Sequence, residues 1–306
     1  MNIDLHVVME GCIMVSWALI SGASTGIGQA TAVALLSKGF NVIAGVRSQA
    51  SADRLHQESS AKGSGHLETT LLDVTDQASI ESAVAFTDKL TGSDGLRVLI
   101  NNAGIAVPGP LEYLTPADWH RQFDVNLFGA IDLTRATLPL LRRGVTSHGR
   151  GVPRLLFISS IGGRIAQPLM APYTCSKFAL SALGDSLRLE LRRQGIGVTV
   201  IEPGAVATDI WAKGDTSASE FTPDHPARKL YEPEINGLIA LAKKAASNAT
   251  PVELAANDIV RTIVAHRAPT RVLVGKDAKI MACLKALLPT RVFDNLLGRE
   301  FGIPKQ

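Results

Sequence analysis

Residues that bind metals or form disulfides are scarce in this chain, and their arrangement excludes several classes of protein. Only three of its 306 residues are cysteine, and Cys12, Cys175 and Cys283 lie far apart without a C-x-x-C pair. Neither a disulfide framework nor a zinc site is therefore predicted. The seven histidines are equally dispersed, without an H-E-x-x-H pattern. We expect no metal, and a reducing compartment such as the cytoplasm.

An excess of one charge and long apolar runs are also missing. The net charge of +3 and the pI of 8.8 are mild and the basic residues are scattered, so no nucleic-acid partner is predicted. The apolar run CIMVSWALI at 12–20 follows no basic segment, has no cleavage site of small residues and is too short to cross a bilayer. It predicts a buried first strand over 15–21, behind an N-terminal extension, residues 1–14.

The rest of the chain alternates short β-branched runs with longer helical patterns. Because the intervening segments are long enough for crossover helices, we expect a doubly wound, seven-stranded parallel sheet of the Rossmann type with helices on both faces. With 46% hydrophobic residues the chain suits a single α/β domain, here residues 15–275. The six further runs that predict strands are 41–46, 67–73, 97–101, 154–160, 197–203 and 271–275.

The stretch LISGASTGIGQA, residues 19–30, fits two interpretations. Its G-x-S-x-G pattern is that of a serine hydrolase elbow, with Ser24 as the nucleophile. Its glycines also fit a dinucleotide-binding turn, in which Gly22 permits the tight turn, Gly26 lets the backbone approach a pyrophosphate, and Gly28 lets the next helix pack closely. The position directly after the first strand favours nucleotide binding, because a hydrolase elbow lies later in its sheet.

The segment YTCSK, residues 173–177, places a tyrosine and a lysine one helical turn apart. Pro172 suits the first turn of a helix, on which Tyr173 and Lys177 share a face at i and i+4. A tyrosine has an unperturbed pKa of about 10, and a nearby cation lowers it, so the pair suits acid/base catalysis. Ser160, at the end of a predicted strand, is suited to bind a substrate oxygen. Taken alone, the pair also fits an ordinary solvated helix face.

Seven short motifs occur in a fixed order along the chain. They are SGASTGIG (21–28), LDV with Asp73, NNAG (101–104), VNLFG with Asn126, SSIGG with Ser160, YTCSK with Tyr173 and Lys177, and PGAVAT (203–208). Together they resemble the short-chain dehydrogenase/reductase family over about residues 15–210, in the branch of hydroxysteroid and retinol dehydrogenases and their bacterial relatives. The resemblance favours the binding turn over the hydrolase elbow. Two departures are Ser21, where the family usually has threonine, and the long segment GVTSHGRGVP.

The resemblance implies an oxidoreductase that transfers a hydride between its substrate and a nicotinamide cofactor. Tyr173 would be the catalytic acid/base, and Lys177 would lower the pKa of the tyrosine and hold the nicotinamide ribose. Ser160 would steady the substrate oxygen, and Asn126 would support a water-linked proton relay to the lysine. A hydrolase and a non-catalytic nucleotide-sensing scaffold remain the alternatives, but neither uses all seven motifs.

Many of the motif residues are expected to contact the cofactor. The family pattern implies that Asp73 binds the adenine edge, that Asn101 holds the ribose region and the central sheet, and that Val206 and Thr208 anchor the carboxamide. Ser24 would contact the cofactor or close the turn. The full set of predicted cofactor contacts is Gly22, Ser24, Thr25, Gly26, Ile27, Gly28, Arg47, Ser48, Asp73, Val74, Asn101, Ala103, Gly104, Tyr173, Lys177, Pro203, Gly204, Val206 and Thr208.

The end of the second predicted strand indicates which nicotinamide cofactor is used. NAD sites place an acidic residue there, about 20 residues after the glycine turn, whereas an arginine accommodates the 2′-phosphate of NADP. No Asp or Glu occurs between Gln29 and Ala52, and Val46 occupies the acidic position, followed by Arg47 and Ser48. We therefore expect NADP(H) in preference to NAD(H), with a merely solvated Arg47 as the alternative.

The segment DIWAKG, residues 209–214, begins a substrate loop that extends to about residue 250. Trp211, Phe221 and Tyr231 either line an apolar pocket or pack the loop, and we assign Trp211 to the substrate site beside the serine and tyrosine named above. Few acidic residues lie near the start of this loop. The expected substrate is a bulky, weakly polar alcohol or its ketone or aldehyde.

Several remaining segments give structural expectations only. Residues 142–154 and 213–226 predict surface loops, and TPVE at 250–253 predicts a capping box for a helix that runs to about His266. The tail, residues 276–306, carries apolar residues at helical spacing. We expect it to pack on the domain or on a partner subunit of a homodimer or homotetramer, with contact with a membrane surface as the alternative.

Overall fold

Seven parallel strands form one sheet in the part of the chain that the computed structural model describes, residues 16–59, 64–149, 152–208 and 221–304. The strands are β1 Trp17–Ile20, β2 Asn41–Val46, β3 Leu67–Leu71, β4 Val98–Asn101, β5 Arg154–Ile158, β6 Gly197–Pro203 and β7 Arg271–Val274. Their order is β3-β2-β1-β4-β5-β6-β7, so the chain winds outwards from β1 in both directions. The predicted doubly wound sheet is confirmed. The predicted N-terminal extension and Trp211 lie outside the described residues.

Helices cover both faces of this sheet. They are α1 Gly26–Leu36, α2 Gln49–Ser59, α3 Gln77–Thr91, α4 Pro116–Phe123, α5 Gly129–His148, α6 Ala171–Glu190, α7 Arg228–Ser247, α8 Val252–Val264, α9 Lys276–Leu287 and α10 Thr290–Glu300. A π-helical turn, Asp124–Phe128, joins α4 to α5. This turn separates α4 from α5 and contains Asn126, one of the predicted site residues.

Two apolar cores result from the alternation of side chains along each strand. In β4, Ile100 belongs to the core beneath α1, α2 and α8, whereas its neighbour Leu99 belongs to the core beneath α3, α5 and α6. Both side chains are almost completely buried. Strands that are covered on both faces read as continuous apolar runs, which is why the sequence showed them clearly.

The predicted surface loop at 142–154 is wrong over its first half, because α5 continues to His148. Gly144 lies within the predicted loop, but its amide lies against Gly95, and a Cβ at this position would collide with the carbonyl of Leu96. The glycine therefore lets α5 pass directly over the start of β4. A glycine that serves close packing within a helix has the same sequence signal as one in a loop.

The predicted capping box at 250–253 does not form. Helix α8 begins at Val252 with Pro251 in the N-cap position, and no side chain caps it. Thr250 instead makes an isolated parallel bridge with Val206, in which the Thr250 amide donates to the carbonyl of Ala205 at 2.8 Å. The threonine thereby joins the segment after β6 to the start of α8.

The helices of the carboxyl tail pack against the domain. Phe293 in α10 and Phe301 just after it are buried, and Gly237 in α7 allows the close approach, since a Cβ there would lie 2.6 Å from the Cα of Phe301. An ion pair between Lys244 and Glu300, 3.0 Å apart, also joins α7 to α10. Among the described residues, no helix combines the length and the apolar character needed to span a membrane.

Candidate active site

A cavity of about 1240 Å³ opens at the carboxyl ends of the strands. Its wall includes the connections after β1, β2, β3, β4, β5 and β6. In doubly wound sheets the ligand lies in the crevice where the strand order reverses, here between β1 and β4. The lining includes most of the residues that the motifs predicted, and it also includes residues of α7, α9 and α10.

The glycine turn crosses the floor of this cavity between β1 and α1. Gly22 has a φ of +64°, and a Cβ at this position would lie 2.8 Å from the Cα of Ala103. Gly26 has a φ of +58° and faces the side chain of Thr208, 3.1 Å from where a Cβ would be. Only glycine combines this backbone conformation with such close contacts. The segment after β6 is thereby held against the start of α1.

Two polar side chains fix the shape of the turn. The hydroxyl of Ser21 accepts hydrogen bonds from the amides of Asn102, at 3.0 Å, and Ala103, at 3.1 Å. The Asn102 side-chain amide donates to the carbonyls of Ser21, at 3.0 Å, and Gly22, at 2.9 Å. Both bonds of Ser21 use its hydroxyl, which threonine also carries, so serine can make the contacts that a threonine would make at this position.

Asn102 of NNAG, and not the predicted Asn101, lies at the rim of the cavity. Asn101 is buried, and its side chain donates to Thr134 of α5 at 2.9 Å. Asn102 lines the cavity instead. Alternation along β4 decides this, since neighbouring residues point to opposite faces. The adjacent asparagine in the same motif was the signal that sequence reasoning missed.

The start of α1 suits an anionic group. Thr25 occupies the N-cap position but its side chain makes no capping hydrogen bond, so the first amides of the helix lie at the cavity without that partner. Ser24, Thr25 and Ile27 line the cavity here. A Cβ on Gly28 would collide with Asn102, so the helix start lies directly on the β4 connection. This cradle of backbone amides fits the pyrophosphate of a dinucleotide.

The end of the cavity that is predicted to bind the adenosine contains both charged residues that the sequence indicated. Arg47, Asp73 and Val74 line the cavity. The Asp73 carboxylate accepts hydrogen bonds from the Thr75 amide, at 2.9 Å, and from its hydroxyl, at 2.7 Å. These bonds, opposed by burial and aided by the charge of Arg47, lower the pKa of Asp73. The carboxylate is therefore an ionised acceptor at this end of the site.

Two further residues at this end differ from expectation. The hydroxyl of Ser48 accepts from the amide of Ser51, at 3.3 Å, at the start of α2, which is a structural contact. Arg54 in α2 donates to the carbonyl of Ser24 at 3.1 Å and places a second cation beside the glycine turn. Sequence reasoning missed Arg54, because only the fold brings α2 back over the turn.

Tyr173, Lys177 and Ser160 come together on the opposite wall of the cavity. Tyr173 and Lys177 lie in the first two turns of α6, with the ammonium nitrogen 5.8 Å from the centre of the tyrosine ring. A hydrogen bond links the side chains of Ser160 and Tyr173. The ammonium of Lys177 donates to the carbonyl of Ile158 at 2.8 Å. The bonds to the end of β5 fix the position of the tyrosine and the lysine.

Burial shifts the pKa values of both groups towards their neutral forms. It raises the pKa of Tyr173, and the hydrogen bond from Ser160 opposes this rise. It lowers the pKa of Lys177 to about 8. The expectation that the lysine lowers the tyrosine pKa is therefore not met in the structure, because the desolvation of the phenol outweighs every favourable contact.

Asn126 reaches the same region from the π-helical turn. Its side-chain oxygen accepts from the amide of Ile105 at 2.8 Å, and its nitrogen donates to the carbonyl of Ile105 at 3.0 Å. Both Asn126 Oδ1 and Lys177 Nζ lie 3.5 Å from the position that a Cβ on Gly104 would take. The absent side chain of Gly104 thus leaves a gap between the asparagine and the lysine. The extra residue of a π turn is often found at such sites.

The segment after β6 forms the wall between the glycine turn and the carboxyl-terminal helices. Pro203, Gly204, Val206 and Thr208 line the cavity, as do Ala103 and Gly104. The predicted substrate contact Trp211 follows it, outside the described residues. Within the residues that the structure describes, no group of three or more histidine, cysteine or acidic side chains is arranged to hold a metal ion.

Much of the apolar lining of the cavity comes from α7, α9 and α10, whereas Phe221 and Tyr231 pack elsewhere. Phe221 is buried in a separate cluster with Leu169, Ala227 and Ile235, and the Tyr231 hydroxyl donates to Glu112 at 2.6 Å. Both therefore pack the loop. The apolar side chains from these helices include Leu238, Ile239, Leu241 and Ala242 of α7, Met281 and Leu284 of α9, and Phe293, Leu296 and Leu297 of α10.

Comparison with known proteins agrees with this geometry. The model of the family described as short chain dehydrogenase matches residues 16–218. The NADPH-dependent 3-dehydrocapnine reductase of Ornithobacterium rhinotracheale is 30% identical over 288 residues, which cover 93% of this chain and 96% of that protein. Retinol dehydrogenase 5 of Mus musculus is 32% identical, covering 95% of this chain and 90% of that protein.

Solved structures show the same fold. A short-chain dehydrogenase from Streptomyces avermitilis superposes with a TM-score of 0.72 at 25% identity, over 94% of this chain and 99% of that one. An actinorhodin polyketide ketoreductase variant with NADPH has a TM-score of 0.69 at 25% identity, over 85% of this chain and 95% of that one. The resemblance inferred from the motifs is confirmed: the chain belongs to the short-chain dehydrogenase family and is an NAD(P)-dependent oxidoreductase.

Proposed function

We propose that the chain interconverts a hydrophobic secondary alcohol and its ketone, or a primary alcohol and its aldehyde, using NADP(H) and tyrosine acid/base catalysis. The observation that carries this proposal is the cluster of Ser160, Tyr173 and Lys177 facing the glycine turn across one cavity. A nicotinamide cofactor, when bound, supplies or accepts the hydride. The protein then needs only to hold the substrate oxygen and to move one proton.

The proton step belongs to the buried phenol. In reduction, Ser160 holds the substrate oxygen and Tyr173 donates its proton to that oxygen; in oxidation the phenolate takes the proton back. The raised pKa of Tyr173 keeps its proton in place until the substrate oxygen becomes basic. Lys177 positions the ribose and supplies positive charge, and the gap beside Gly104 leaves room for a water between Asn126 and the lysine.

The alternatives have less support. A serine hydrolase would use Ser24, but this residue lies in a turn shaped by positive-φ glycines at the start of α1, and the chain belongs to a family of oxidoreductases. A nucleotide-sensing scaffold would account for the turn. It would leave the buried lysine and tyrosine, whose burial is energetically costly, without a purpose.

We also propose that copies of the chain assemble in the cytoplasm. Cys175, Phe178 and Leu189 lie exposed on α6 at spacings that share one face, and an apolar stripe of this kind is typical of a helix that meets a partner. The three scattered cysteines support a reducing compartment.

Replacing Tyr173 by phenylalanine is expected to lower kcat by about 10²- to 10⁴-fold, because the proton donor is lost. NADPH affinity, measured by fluorescence titration, should stay within about twofold, since the phenol oxygen does not hold the phosphates. Tyr113→Phe is the matched control and should retain activity, and Ser24→Ala should lose much less than the tyrosine variant. Substantial turnover by Tyr173→Phe would contradict the mechanism.

The rate of ketone reduction is expected to fall as the pH rises through about 8. The pKa of Lys177 is lowered to about 8, so its positive charge is present below this pH and is lost above it. Tyr173 stays protonated over the same range, because burial raises its pKa. A profile of kcat/KM from about pH 6 to about pH 10 should show this descending limb. Melting temperatures over the same range control for unfolding, and a flat profile would rule out the assigned role of Lys177.

NADPH is expected to be preferred over NADH by tenfold or more, about 1.4 kcal/mol. Arg47 lines the cavity at the end of β2, where no acidic residue competes for it, and Arg54 adds positive charge beside the glycine turn. Arg47→Ala should weaken NADPH and leave NADH nearly unchanged, and Val46→Asp combined with Arg47→Ala should reverse the order. Equal kcat/KM values for the two cofactors in the unmodified protein would refute the preference.

Bulky, weakly polar substrates are expected to outperform small polar ones. One oxygen would meet Ser160 and Tyr173, while the remainder of the molecule buries apolar surface against α7, α9 and α10. Steroids, retinoids and long-chain or aromatic alcohols fit this description. The test is a panel of alcohols and ketones of matched reactivity and graded hydrophobicity, with kcat/KM measured for each. Polyols or short hydroxy acids as the best substrates would disprove the apolar pocket.

A further inference from the structure

Asp277, in the first turn of α9, reaches back to the segment after β6. Its carboxylate accepts a hydrogen bond from the backbone amide of Ala205 at 2.7 Å. The same carboxylate lies directly on Gly204, where any Cβ would collide with its oxygens, and a Cβ on Gly275 would lie 2.6 Å from Oδ1. Two glycines thus leave room for one acidic side chain. None of the family motifs contains Asp277.

The other polar contacts of Gly204 and Ala205 are made by the backbone. The Gly204 amide donates to the carbonyl of Val274 at 2.9 Å, and the carbonyl of Ala205 accepts from the amide of Thr250 at 2.8 Å. Of these three bonds, only the one that the Asp277 carboxylate accepts from the Ala205 amide involves a side chain. It is therefore the bond that a substitution can remove without breaking the sheet.

Helix α9 connects this contact to the apolar wall. Asp277, Met281 and Leu284 lie at i, i+4 and i+7 and share one face, and all three line the cavity. The segment after β6, which contacts Asp277 at Gly204 and Ala205, also contacts the glycine turn, because Thr208 lies against Gly26. One rigid helix thus spans the distance between the cofactor segment and the substrate wall.

We propose that Asp277 is a positioning residue that fixes residues 203–208 to α9. Through this bond the nicotinamide end of the cofactor and the apolar wall keep one spacing, so that a bulky substrate is held at the reacting carbon. The part of this inference that concerns the substrate rests on the proposed function, whereas the contact between Asp277 and Ala205 does not. An acid in the first turn of a helix also favours the helix dipole, but this alone requires no contact with Ala205.

The test compares Asp277→Ala with Asp277→Asn, which keeps an acceptor oxygen, and with Asp294→Ala, an exposed aspartate of α10. The first readout needs no cofactor. Hydrogen exchange of the Ala205 amide should become about tenfold faster in Asp277→Ala, because its acceptor is gone. It should stay within about twofold of the unmodified protein in the other two variants.

The second readout is functional. In Asp277→Ala we expect the Kd for NADPH to rise about tenfold, and kcat to fall further for a bulky ketone than for a small one. Asp277→Asn should restore both quantities, which a general loss of stability would not permit, and melting temperatures check that all variants are folded. Unchanged exchange and unchanged NADPH affinity in Asp277→Ala would overturn the proposal, and so would an Asn variant as impaired as the Ala variant.

The two proposals fail in different ways. If the unmodified protein reduces no hydrophobic ketone, the proposed substrate class is wrong, while amide exchange and NADPH binding still decide the role of Asp277. If reduction proceeds but Asp277→Ala discriminates the bulky and small ketones as the unmodified protein does, the coupling between α9 and the cofactor segment is wrong.

Discussion

The carboxyl ends of β1, β4, β5 and β6 meet at one edge of the sheet because all neighbouring strands run parallel, and each part of the site is attached to that edge. The glycine turn follows β1, Asn102 follows β4, Ser160 follows β5, and the segment with Thr208 follows β6. So many connections at one edge leave little space. Close contacts at Gly22, Gly26 and Gly104 are the direct result of this crowding.

Burial determines the electrostatic character of the cavity wall that carries Tyr173 and Lys177. Lys177 is only 5% exposed, and its single carbonyl partner at Ile158 does not replace the water that the ammonium has lost, so its pKa falls to about 8. The same environment raises the pKa of Tyr173. The phenol is therefore a weaker acid than a free tyrosine, and the ammonium is a stronger acid than that of a free lysine. Environments that move two titratable groups in opposite directions are typical of acid/base sites.

The carboxyl-terminal helices connect the apolar part of the cavity to the rest of the fold. Helices α9 and α10 lie in the segment predicted as a packing tail, and α7 lies in the predicted substrate loop; Phe293 and Phe301 are buried here, and the three helices supply much of the apolar wall. The missing side chain of Gly237 allows α10 to approach α7, and Asp277 joins α9 to the segment after β6. The apolar wall and the segment after β6 therefore form one packed unit.

The sequence by itself determined the order of strands and helices, the glycine turn and the pair of Tyr173 and Lys177, because each depends on local spacing: period, turn chemistry and i, i+4 geometry. It did not determine which asparagine of NNAG faces the cavity, that Gly144 lies in a helix, or that Thr250 pairs with Val206. These three features depend on which distant segment of the chain packs against the residue concerned. Only the tertiary structure decided the apolar wall, the position of Arg54 and the contact of Asp277 with Ala205, since these join residues far apart in the chain whose packing leaves no periodic signal.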